Sequence, residues 1–289
     1  MTTDPADAAA TLPDSTHVGR VALRVGSLDA TVPFYRDVVG LDVVRSEGEA
    51  RLLADGEELV VLAEDPDTPE RPRDAAGLFH LAVRVPDRAA LADALARIRA
   101  HGSLTGASDH VVSEALYLRD PEGNGVEIYR DRPREEWRET AAGQLDIRTL
   151  PLDLDDLATA AEPGTRDADR APPGTDIGHV HLEITDLDRA LDFYVDDLGF
   201  TLENGEYDGA AFVAAGGYHH HLGLNTWNRR TAQSGDHRGL AWYELVVPDE
   251  RSLSALSDRL TATGEPVEET EQGLSVTDPD GIEVRIRVE

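Results

Sequence analysis

The chain has 289 residues, enough for two compact domains at roughly 150 residues each. Its 57 acidic and 27 basic residues, the latter all arginine, give a net charge of -30, a field that repels nucleic-acid phosphate and anionic membranes. There is no cysteine, which excludes disulfides, thiolate metal sites and iron-sulfur clusters and leaves histidine and carboxylate as metal ligands.

Residues 1–16, MTTDPADAAATLPDST, carry neither a basic segment nor a long apolar run and read as a disordered N-terminus. No later stretch approaches the roughly 20 apolar residues of a membrane span, so the expectation is a soluble, cytoplasmic protein. A lysine-free acidic surface stays hydrated when molar salt screens its self-repulsion. That predicts the cytoplasm of an extreme halophile.

The segment VALRVGSLDATVPFYRDVVGL (Val21 to Leu41) predicts a strand, a polar turn, a helix carrying Phe-Tyr and a closing glycine. GLFHLAVRVPDRAALADALARIRAHG (Gly77 to Gly102) predicts a strand, a Pro-Asp turn and an amphipathic helix with Leu91, Leu95 and Ile98 on one face. Its glycine suits a left-handed cap. Residues 131–176 form an acidic, proline-containing linker without a sustained core pattern, apart from a short helix within Leu150 to Leu157.

The first pattern recurs without gaps at VHLEITDLDRALDFYVDDLGF (Val180 to Phe200), and the second at GLAWYELVVPDERSLSALSDRLTATG (Gly239 to Gly264). Short strands follow each. The reading is an α+β chain of four βαβββ modules starting near His17, Gly77, Ile177 and Gly239. They form one two-module half over 17–130 and another over 177–289.

Together with these repeats, ASDHVVSEALYLRDPEGNGVEIYRDRPREEW (Ala107 to Trp137) and GGYHHHLGLNTW (Gly216 to Trp227) resemble the vicinal oxygen chelate superfamily. This is the glyoxalase/bleomycin resistance/extradiol dioxygenase group, and the likeness is to its four-module, catechol 2,3-dioxygenase-like branch. The resemblance implies modules paired into two cupped mixed sheets, with metal ligands on the first and last strands of a module. Those places hold His80 and Glu127 in module two and His179 in module three.

At the matching places in modules one and four stand Arg20 and Trp242, which bind no divalent cation, so one live site and one degenerate site are expected. Glu283 is retained in module four, where Arg20 could pair with such a carboxylate. Ligands from modules two and three further predict that two pairs with three and one with four.

Two imidazoles and a carboxylate on one face of an octahedral ion leave three adjacent positions open, which suits Fe(II), a catechol and O2. Mn(II) shares this ligand preference. The resemblance implies an acid-base histidine in the pattern His, any residue, Leu, small residue, which falls on His220, His221, Leu222 and Gly223. Strand alternation would put His220 and Leu222 on one face and leave His219 and His221 on the other. By the same resemblance Tyr117, ten residues before Glu127, bonds the substrate, and His110 upstream contacts it. His181 shares the face of His179 and is expected to touch a ligand without being one.

The implied function is extradiol cleavage of a catechol-type ring. Two alternatives stay open: a glyoxalase-like metal-dependent isomerase or lyase, and a non-catalytic small-molecule (antibiotic) binding protein. Glyoxalase-type sites use a fourth protein ligand, usually a glutamate where this chain has HHHLGL, and a binding module has no need of His80, Glu127 and His179 together. The expected partners are a small aromatic molecule and O2, with a homo-oligomer left open.

Overall fold

The computed structural model describes residues 11–162, 164 and 167–289. Most of the expected N-terminal tail lies outside these. Residues 11–16 depart from the disorder their composition predicts: Leu12 is buried and its N–H donates to the Gly199 carbonyl at 2.8 Å, and Thr16 is also buried.

Module one comprises β1 (His17–Val25), α1 (Leu28–Phe34), β2 (Asp42–Ser46), β3 (Glu49–Ala54) and β4 (Glu57–Glu64). Module two comprises β5 (Gly77–Arg84), α2 (Arg88–His101), β6 (Gly106–Asp109), β7 (Ser113–Arg119) and β8 (Gly125–Asp131). Between the halves lie β9 (Leu150–Pro151) and α3 (Leu154–Thr159). Module three comprises β10 (Asp176–Glu183), α4 (Leu187–Leu191), β11 (Thr201–Asn204), β12 (Ala210–Ala214) and β13 (Leu222–Asn225). Module four comprises β14 (Gly239–Val247), α5 (Glu250–Thr263), β15 (Val267–Thr270), β16 (Gly273–Thr277) and β17 (Glu283–Val288).

The Pro-Asp turns work as helix starts. Asp87 and Asp249 are extended N-caps whose carboxylates accept from the backbone N–H of Ala90 and Ser252, each at 2.8 Å, satisfying donors that the first helical turn leaves free. Gly264 closes α5 in the left-handed region at φ 91°, as expected. Gly102 does not: it leaves α2 extended at φ -138°, with Val38 against the place a side chain would take.

Two mixed sheets result. One has the order β15-β16-β17-β14-β1-β4-β3-β2, and the other β11-β12-β13-β10-β5-β8-β7-β6-β9. Module one therefore pairs with four through β1 and β14, and two with three through β5 and β10. The helices bury their apolar sides on these sheets, in a core that includes Leu91, Leu95, Ile98, Leu256 and Leu260.

The segment between the halves is more than a connector. Leu157 of α3 is fully buried, and β9 extends the second sheet beside β6. No helix among the described residues is long and apolar enough to cross a membrane.

Candidate metal centre and its cavity

Register brings the three expected ligands together. Antiparallel β5 and β10 place His181 opposite His80 and His179 opposite Ala82, while parallel β8 sets Glu127 beside Ala82. Gly125 permits the close approach of β8, since a side chain there would strike the Phe79 carbonyl and His80 Cβ. As a result His80 Nε2 lies 2.9 Å from Glu127 Oε2, His179 Nε2 lies 3.2 Å from the same oxygen, and the two nitrogens are 3.4 Å apart.

Adjacent ligands of an octahedral ion with bonds of about 2.1 Å sit roughly 3 Å apart, so the three atoms fit one face of such an ion. The donor chemistry agrees. Burial alone would raise the Glu127 carboxyl, but His179 and His80 outweigh it and hold it well below the usual range. Burial lowers His179 to about 4, leaving a neutral ring with a lone pair to share. All three side chains are at most 7% exposed, and an anion so placed needs compensation that a cation would provide.

Above this triad opens a cavity of about 270 Å³. Phe79, Phe212, Trp227 and Ile147 supply apolar walls, and His110, Tyr117, His181 and His220 supply polar groups. Ile147 and Thr149 come from the segment between the halves, where no periodic pattern marks them. No arginine lines the cavity among the described residues.

Tyr117 faces Glu127 across the β7–β8 hairpin and bonds His110 Nε2 at 2.6 Å. His110 Nδ1 lies 2.7 Å from the Arg148 carbonyl, which can only accept, so this nitrogen carries a proton. In the neutral tautomer His110 Nε2 then accepts from the Tyr117 hydroxyl, and the phenol oxygen keeps a lone pair for another donor. Burial, reinforced by the charge on Glu127, raises the Tyr117 hydroxyl well above its ordinary value.

His181 meets His80 edge to face with ring centroids 4.9 Å apart, and its buried Nε2 finds no partner among the described residues. Gly223 makes the room for this ring, because a side chain there would lie 2.7 Å from His181 Cδ2.

The His219 to His221 triplet departs from the expected alternation. β13 begins only at Leu222, so the three histidines lie in the preceding loop. Gly216 and Gly217 both take left-handed φ values, 61° and 62°, and bend the chain out of strand geometry. His220 does line the cavity, with its ring centroid 4.1 Å from that of His179. His219, expected on the opposite face, instead meets His220 at 2.7 Å between their Nδ1 atoms. His221 turns away, accepting from the backbone N–H of Ala215 and packing against Tyr218 and Phe200. Burial and neighbouring imidazoles lower His220 and His181 well below their ordinary values.

The other sheet has a different centre. Arg20 makes a forked pair with Glu244, Nε to Oε2 at 2.9 Å and NH2 to Oε1 at 2.6 Å, and reaches Glu58 at 3.0 Å. Glu283, the partner the sequence suggested, pairs instead with Arg285 at 2.7 Å and accepts from Ser275. A guanidinium held by two carboxylates thus stands where the sheet of modules two and three gathers its donors.

Residues 17–128 and 176–286 match the family model described as the Glyoxalase/Bleomycin resistance protein/Dioxygenase superfamily. The chain belongs to this superfamily. It is 42% identical over 273 residues to "Catechol-2,3-dioxygenase" of Bacillus subtilis (strain 168), covering 92% of this chain and 95% of that protein. A solved structure from Bacillus subtilis subsp. subtilis str. 168 aligns with a TM-score of 0.63 at 13% identity, over 96% of this chain and 86% of that one. Glyoxalase I from Zea mays aligns with a TM-score of 0.56 at 18% identity, over 94% and 92%. At these identities the two structures attest the superfamily fold alone.

Proposed function

We propose that this chain is a non-heme Fe(II) extradiol dioxygenase that cleaves the ring of a catechol without an anionic substituent. One observation carries the reading: His80, Glu127 and His179 present three donors from one side at the floor of an aromatic-walled cavity. The 42% identity to the Bacillus subtilis protein supports it. His80, Glu127 and His179 would hold Fe(II), or Mn(II) in its place, which would supply the redox chemistry that lets a catechol react with O2.

The protein's own groups supply the rest. His220, neutral and beside His179, takes a proton from a catechol hydroxyl and returns it to an oxygen of the opening ring. Tyr117, its proton engaged by His110, accepts from the other hydroxyl and orients the ring. Phe79, Phe212 and Trp227 exclude water and hold the ring by its faces and edges.

Size and charge narrow the substrate. An apolar cavity of about 150 Å³ already admits benzene, so about 270 Å³ accommodates a single catechol ring with a small apolar substituent. No arginine lines it among the described residues, so no permanent cation there offsets the charge of a buried carboxylate.

The test is reconstitution with Fe(II) under anaerobic conditions in high salt, addition of catechol, then admission of air. A yellow ring-fission product with stoichiometric O2 uptake is the expected result. No product, together with hemithioacetal isomerisation under Ni(II) or Zn(II), would move the assignment to the glyoxalase-like alternative.

A further inference from the structure

A buried chain of hydrogen bonds stands behind His220. Asp131, the last residue of β8, lies 2.8 Å from His219 Nε2, and His219 Nδ1 lies 2.7 Å from His220 Nδ1. His219 is fully buried, enclosed by the rings of Tyr218, Trp137 and Tyr129 at 4.1, 5.4 and 6.1 Å.

Asp131 is itself fixed, by Arg84 NH1 at 3.0 Å and the Tyr218 hydroxyl at 3.0 Å. Arg84 is anchored in turn on Asp176 at 2.6 Å. The loop is tied from the other side, where Arg134 donates to the carbonyls of Gly216 and Gly217 at 2.8 and 2.6 Å. Two neighbouring imidazoles are thereby held facing each other, an arrangement a regular strand would forbid.

The direction of these bonds follows from what each atom can do. A carboxylate only accepts, so His219 Nε2 carries a proton toward Asp131. That bond to Asp131 takes up one proton of the His219 ring. A neutral His219 then offers the lone pair of Nδ1, and His220 must donate its Nδ1–H to it. That leaves the lone pair of His220 on Nε2, in a side chain that lines the cavity.

We propose that Asp131 and His219 are positioning residues which fix His220 in the Nδ1–H tautomer, with its Nε2 lone pair available to substrate. This inference rests on the dioxygenase reading for its chemical purpose. A proton leaving a catechol hydroxyl binds Nε2, the Nδ1–H bond to His219 stabilises the resulting imidazolium, and the same proton returns to a product oxygen. Nothing is consumed in the relay.

Two measurements decide it. In the full-length chain labelled with 15N-histidine and free of metal, long-range 1H–15N correlations should give His220 with Nδ1 protonated and Nε2 bare. A protonated Nε2 with bare Nδ1 would overturn the proposal. Second, in the iron-loaded enzyme, His219→Leu should lower kcat by about 10- to 100-fold, part of the roughly 10²–10⁴ that a positioned acid or base contributes. The KM for catechol and the iron content should stay within about twofold. His219→Gln, whose amide can donate to Asp131 and accept from His220, should recover most of the loss. Undiminished kcat in the leucine variant, or a glutamine variant as impaired as leucine, would refute the positioning role. Absence of catechol cleavage by the unaltered enzyme would instead defeat the dioxygenase reading, while the tautomer would still be read directly.

Discussion

Tyr194 donates its hydroxyl proton to Asp278 at 2.8 Å, and Tyr35 does the same to Asp120 at 3.2 Å. Each tyrosine follows the first helix of one module, and each aspartate sits in the hairpin turn of the next. Since modules three and four lie in different sheets, as do one and two, both bonds join the sheets. Replacing Tyr194 by Phe would leave a buried carboxyl short of a partner, at an expected cost of about 1–3 kcal/mol, measurable by denaturant unfolding.

The same aspartate makes a pH prediction. Burial pushes the Asp278 carboxyl up to about 7, against the partial relief of N–H bonds from Ile282 and Asp280 and the Tyr194 hydroxyl. Its folded value thus exceeds its unfolded one, so its contribution is full below about pH 4 and is lost as pH rises through about 7. Asp278→Asn stays neutral throughout. The stability of the native protein minus that of this variant should fall by on the order of a few kcal/mol between about pH 4.5 and 7.5. A difference that stays flat across this window would refute the assignment.

How far this was legible in the sequence depends on regularity. The repeats located the modules, and requiring His80, Glu127 and His179 to meet dictated the pairing of two with three. Alternation served β5, β8 and β10, whose residues are true strand. It misplaced His219 because Gly216 and Gly217 unmake the strand, and no period-two rule survives two left-handed residues. Ile147 and Thr149 left no trace either: walls contributed by irregular chain carry no pattern, and only the folded path reveals them. A carboxylate partner for Arg20 is legible in the repeats, but choosing Glu244 over Glu283 requires the register of β1 against β14.

Metal should stabilise the fold through these same ligands. Saturating Fe(II) or Mn(II) under anaerobic conditions at 100 times its dissociation constant adds about 2.7 kcal/mol, read as a raised melting temperature that a chelator reverses. Glu127→Gln removes the one anionic donor and should abolish most of that shift. An equal shift in the variant would place the ion elsewhere.

His220→Gln should retain the metal-induced shift and lose turnover by about 10²–10⁴-fold, since a positioned acid or base contributes on that order. Iron content and product formation are measured on the same sample. Loss of iron together with activity would make His220 a ligand and not the proton carrier.

Salt should act against the net charge. With 57 carboxylates facing 27 arginines, screening weakens attractive pairs such as Arg36 with Asp37, yet it relieves a larger sum of repulsions. At about 1 M salt the screening length is only about 3 Å. The melting temperature should therefore rise from about 0.1 M salt into the molar range, and an unchanged or falling value would refute the proposed halophilic adaptation.

Substrate charge gives the sharpest test of the cavity. Catechol and 4-methylcatechol present only apolar surface to Phe79, Phe212 and Trp227, whereas 3,4-dihydroxybenzoate must bury a carboxylate where no arginine among the described residues lines the cavity to receive it. Uncompensated burial of an anion costs several kcal/mol, so kcat/KM for the acid should fall by at least about 100-fold, equivalent to about 2.7 kcal/mol. Because Ile147 stands on the wall, Ile147→Arg would place a guanidinium there and should narrow the gap chiefly by improving the acid. Comparable kcat/KM values for the acid and the neutral catechols in the unaltered enzyme would mean that the acid reaches a cationic group outside this lining.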